Sequence, residues 1–126
     1  MRMSLSMALH ISYSVSAATL TAVWGSAPAN VWAVGSVAGP LGGRILHYDG
    51  VRWTEMASGS NALYGLWGSS ASRLIAVGTN GTILTWNGTA WSPQASGCSQ
   101  NLNGIWGSGS TAWAVGPMGT ILQYAP

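Results

Sequence analysis

Groups able to do acid–base, nucleophilic or metal chemistry are few in these 126 residues: Asp49, Glu55, His10, His47 and Cys98. Paired carboxylates that cleave a glycosidic bond must converge on it from across a cleft. Asp49 and Glu55 stand six positions apart, and the Asp49-Gly50 pair has the composition of a tight turn. His10 and His47 have no cysteine or carboxylate at ligand spacing, so no metal is expected. Cys98 stands alone, which rules out an internal disulfide and reads as an incidental thiol. No serine sits in a Gly-x-Ser-x-Gly elbow, and no glycine loop precedes a helix to cradle phosphate. The expectation is a non-enzymatic chain with no cofactor and no catalytic residue.

The rest of the composition fits that reading. Charged residues are 5% of the chain, against roughly 25% in an ordinary soluble domain. The net charge of +2 comes from scattered arginines, too few to neutralise a run of phosphates, so nucleic acid is not an expected partner. Eight tryptophans and eighteen glycines suit short strands and tight turns, and this palette points to a secreted or cell-surface protein.

The elements that would position any site come from a repeat. Trp24 and Trp67 lie 43 positions apart, and Trp67 and Trp106 lie 39 apart. Each period opens on Leu-x-x-(Val/Leu/Ile)-Trp-Gly-Ser and continues with VWAVG (31–35), LIAVG (74–78) or AWAVG (112–116). It then runs through RILHY (44–48), TILTW (82–86) or TILQY (120–124). Asp49-Gly50 or Asn87-Gly88 is expected to turn the chain into a short strand beginning at Trp53 or Trp91. Consecutive apolar residues in the second strand predict burial on both faces. A period near 40 with four strand signals is that of a β-propeller blade. The fold class expected is all-β, with about three four-stranded antiparallel blades in an incomplete ring or half of an oligomeric ring.

The string WGS…WAVG…GTILxYxG…W resembles repeats of exported bacterial β-propellers, and the turn before Trp53 resembles a degenerate Asp-box of sialidase-like and photosystem II assembly-factor propellers. Asn87 takes the place of the aspartate in the second copy. The resemblance covers roughly residues 18–126 and implies architecture; propellers of this kind serve as enzymes, lectins, adhesins and scaffolds alike. A sialidase-like site would require an arginine cluster with acids and a tyrosine, which four arginines in dissimilar positions do not provide.

The boundaries read as blade 1 over 18–59, blade 2 over 60–98 and a partial blade 3 over 99–126. Residues 1–17 read either as a strand, since Leu9, Ile11, Tyr13 and Val15 alternate with polar residues, or as a signal-like segment. No stretch is long and apolar enough to span a bilayer as a helix. A strand there would complete the blade left unfinished after Tyr124. Three blades are too few to close a ring. Two readings follow: a homodimer completing a six-bladed ring, or a fragment of a longer protein.

Function is therefore expected on the loops: a binding or scaffold module meeting a protein or glycan partner. The alternatives are a lectin-like propeller and a fragment of a larger propeller hydrolase. The first copy carries nine residues (SVAGPLGGR) between Gly35 and Ile45, where the others carry four (TNGT and PMGT), so Pro40, Leu41 and Arg44 are candidate contacts. Asn61, Asn80 and Asn101, with Tyr64 as an aromatic neighbour, are the candidate carbohydrate contacts. The recurring tryptophans read as packing between blades.

Overall fold

The computed structural model describes residues 13–14, 18–37, 42–56, 59 and 61–125. Pro40, Leu41 and most of the N-terminal segment, with its strand and signal readings, lie outside the described residues. The described chain is all-β. Strands β1 (Ala18–Ala27), β2 (Asn30–Val37), β3 (Gly43–Tyr48) and β4 (Trp53–Met56) form the first antiparallel sheet in that order. The second holds β5 (Leu63–Ser70), β6 (Arg73–Gly78), β7 (Ile83–Trp86) and β8 (Trp91–Gln94). The third pairs β9 (Gly104–Ser108), β10 (Thr111–Gly116) and β11 (Thr120–Tyr124), with β10 in the middle. The described residues form no closed ring.

Each strand alternates between two faces of its sheet, and the alternation builds two cores. In the first core, Trp32, Val34 and Ile45 of the first sheet meet Leu63, Leu66, Leu74, Ala76 and Leu84 of the second. In the other, Ile75, Val77 and Ile83 on the opposite face of the second sheet meet Leu102, Ala112 and Ala114 near or within the third. The middle sheet is therefore buried on both faces, which is why LIAVG is apolar at consecutive positions. β1, β5 and β9, the three WGS strands, neighbour one another in that order. Leu20 and Ala22 flank a bulge at Thr21, and Leu63 and Gly65 flank one at Tyr64. The Thr21 hydroxyl donates to the Leu63 carbonyl at 2.7 Å and ties the first sheet to the second.

Two turns differ from expectation in an instructive way. The hairpins after β3 and β7 are centred one residue later than the Asp-Gly and Asn-Gly pairs suggest. Asp49 and Arg52 close the first (Asp49 N–H to Arg52 carbonyl, 3.3 Å), leaving Gly50 and Val51 as central residues. Gly50 at φ 98° takes the first central position, the place a type II′ turn reserves for glycine. Asp49 Oδ1 instead accepts from the Val51 and Arg52 amides at 2.8 and 2.9 Å, and Asn87 Oδ1 repeats this with Thr89 and Ala90. The long first-copy insertion also extends the β2–β3 ladder, because Ser36 pairs with Gly43 and the Val37 amide donates to the Gly42 carbonyl at 2.8 Å.

The short loops TNGT and PMGT are two-residue turns with both central residues at positive φ: Asn80 at 57° with Gly81 at 70°, and Met118 at 60° with Gly119 at 69°. Asparagine tolerates this left-handed region, whereas a methionine there is strained by about 1–2 kcal/mol. Met118 is also 88% exposed and so gains little from packing. Met118→Asn, which copies the sister turn, is expected to stabilise the protein by about 1 kcal/mol, read as an increase in urea midpoint at constant slope.

Candidate functional site

Strand direction puts the β2–β3, β6–β7 and β10–β11 turns on one edge of the stack, together with the connections between sheets. Backbone bonds lock this edge. The Thr79 amide donates to the Ala62 carbonyl at 3.0 Å, and the Leu102 amide donates to the Gly78 carbonyl at 2.9 Å. Around the turn at residues 79–82 the structure gathers the three candidate asparagines. Asn61 Nδ2 donates to Thr82 Oγ1 at 2.8 Å, and that hydroxyl donates to the Thr79 carbonyl at 2.6 Å. On the other side, Asn101 Oδ1 accepts from the Asn80 amide at 3.1 Å. Residues from three separate connections thus converge on one turn, with Asn80 and Asn101 exposed.

Tyr64 follows this cluster in sequence and sits half-buried at the β5 bulge. Arg44 is placed differently: it lies in β3, and its guanidinium donates to Glu55 Oε1 at 2.8 Å. This partly exposed pair contributes little stability, but it neutralises the one charge assigned to the edge. Of the sequence candidates with described positions, Asn61, Asn80 and Asn101 are gathered at one turn, Tyr64 follows them in sequence, and Arg44 is engaged with Glu55.

Two titratable groups, Asp49 and His47, are engaged in local contacts. Amide donation by Arg52 and Val51 holds the Asp49 carboxyl below its ordinary range, so it remains an ionised acceptor inside its turn. His47, at the repeat position that Thr85 and Gln123 hold in the sister copies, is half-buried: its ring lies 4.1 Å from that of Trp32, and Nε2 is 2.6 Å from Asn30 Oδ1. Burial lowers its pKa, with the Asp49 charge opposing the shift. Among the described residues no three of His, Cys, Asp and Glu come together as a metal site, and no helix is long and apolar enough to cross a membrane.

A second concavity lies at the opposite edge. A cleft of about 390 Å³ opens where the second and third sheets diverge, lined by Arg73, Trp86, Asn87 and Tyr124 with serine and threonine hydroxyls. Sequence reasoning missed it, because Trp86 and Tyr124 read only as core. The available signal was their common repeat position at the end of the third strand, close to the turn of the second copy. Comparison of the chain with protein-family models, curated proteins and solved structures gave no match.

Proposed function

We propose that the chain is a non-enzymatic binding or scaffold module of β-propeller type that meets its partner through the loop-bearing edge. The observation that carries this reading is the convergence of Asn61, Asn80 and Asn101 on one hydrogen-bonded turn. A rigid amide cluster offers donors and acceptors without charge, the complement of hydroxyl-rich or peptide-like partners, and it loses little entropy on binding. A lectin-like use of the opposite cleft is the second reading. It is favoured by Tyr124 beside Arg73 and Asn87, since aromatic faces pack on sugar rings and the polar groups fix orientation.

An array of neutral oligosaccharides probed with the folded chain tests both. Binding lost at least tenfold in Asn80→Ala and retained in Arg73→Ala supports the edge with a glycan partner. The reverse pattern overturns the edge in favour of the cleft. No binding by the parent chain removes the glycan reading of either site.

A further inference from the structure

The repeat assigns each sheet two different faces. One face presents Trp24, Trp32, Val34 and Ile45 in the first sheet, Trp67, Ile75, Val77 and Ile83 in the second, and Trp106, Trp113, Val115 and Ile121 in the third. The other presents Leu20, Val23, Ala33 and Leu46, then Leu63, Leu66, Ala76 and Leu84, then Leu102, Ile105, Ala114 and Leu122. Both internal interfaces join the tryptophan face of one sheet to the leucine face of the next. Among the described residues two faces have no sheet packed on them: the tryptophan face of the third sheet, and the leucine face of the first, where the β1 side is exposed while Ala33 and Leu46 are already buried. On them Trp106 is 64% exposed, Ile121 67% and Val23 68%.

The two leftover faces are the two halves of the contact that the chain already makes twice. At each internal contact a tryptophan lies on the glycine of the following WGS strand. Trp24 ring atoms lie 2.7 Å from where a Cβ of Gly68 would stand, and those of Trp67 lie 2.4 Å from the same point at Gly107. Gly25 is the third such glycine, and the atoms nearest its Cβ position belong to Asn30 and Val31 of its own sheet, with no tryptophan ring among them. Beside it is a largely apolar recess of about 390 Å³ lined by Leu20, Thr21, Ala22, Val23, Ala33 and Trp53. Tyr13 stacks at the Trp53 side, 6.4 Å between ring centroids. By register the tryptophan face of the third sheet carries no charged side chain, whereas the leucine face of the first carries Arg44 and Glu55 beside Leu46, paired with each other at 2.8 Å.

We infer that the third sheet of one copy docks on the first sheet of a second copy, with Trp106 of one lying on Gly25 of the other. Such a contact is head-to-tail. Two copies that make it reciprocally close on themselves, leaving no face bare. It continues the internal stack without new chemistry, since the same repeat positions supply both sides.

The test is the solution mass of the full chain by light scattering after size exclusion. Parent protein is expected at twice the 13.0 kDa of one chain. Val23→Glu and Trp106→Arg place a charge on an exposed position of opposite faces, and each alone is expected to weaken association by about 100-fold. Mixing the two variants is expected to restore the double mass, because one contact is then native and the other opposes Glu to Arg. Near-ultraviolet circular dichroism checks that each variant is folded. A monomeric parent chain overturns the inference. So does a dimer that survives Val23→Glu, which would mean that like faces meet, and so does a mixture that stays monomeric.

Discussion

Gly78→Ala is expected to destabilise the protein by at least about 3 kcal/mol, beyond the usual range for one added methyl group. A Cβ at this position would stand 1.9 Å from the Ala62 carbonyl oxygen, which is backbone and cannot swing aside. The same carbonyl accepts the Thr79 amide, while the Gly78 amide donates to Thr82 and its carbonyl receives Leu102 from the next sheet. Relieving the clash would therefore loosen the edge turn and the link between sheets together. The geometry recurs: Gly35 would meet the Thr19 carbonyl at 2.0 Å and Gly116 the Asn101 carbonyl at 1.9 Å. The terminal glycine of each Ala-Val-Gly is fixed by this approach. Gly104→Ala is the control, since its Cβ would meet only a Val115 methyl at 3.6 Å. It should change stability by no more than about 0.5 kcal/mol. Urea unfolding followed by tryptophan fluorescence measures both, and equal midpoints for the two variants would refute the explanation.

Trp32→Ala is the second large effect, expected to cost about 3–5 kcal/mol. Trp32 is 2% exposed and packs between His47, Trp86 and Trp91, at ring-centroid distances of 4.1, 4.8 and 5.5 Å. Removing it would empty the centre of the core shared by the first two sheets. Its buried Nε1 has no hydrogen-bond partner, so the ring contributes by packing and not by its donor. Trp32→Phe should accordingly lose less than half as much as Trp32→Ala in the same unfolding experiment. A phenylalanine variant as unstable as the alanine one would show that the indole N–H matters after all.

Much of this fold was legible in the sequence because its signals are local. Val31–Gly35, Leu74–Gly78 and Ala112–Gly116 all fall within strands, and the apolar run of the middle copy follows from its two covered faces. The turns after β3 and β7 were recognisable, but their centre was not. Asp-Gly composition fits a turn with Asp at its first central residue equally well, and only the side-chain acceptance by Asp49 moves it outside. The surroundings of His47 were not legible for a different reason: its sister positions hold threonine and glutamine, and its burial against Trp32 is a contact between elements. The asparagine cluster was legible as three separate loop residues and not as one site, since Asn80 and Asn101 meet only once the second and third sheets stack. Trp24, Trp67 and Trp106 share one local sequence, yet the last is exposed. Repeat position fixes which face a side chain occupies, and the neighbouring sheet decides whether that face is covered.

The order of the sheets also sets how the molecule comes apart. Opening either outer sheet sacrifices one of the two cores, whereas β5–β8 cannot leave without losing both. Unfolding of the isolated chain therefore begins at its ends and works inward, shedding Trp24 or Trp67 from its glycine before the middle sheet yields.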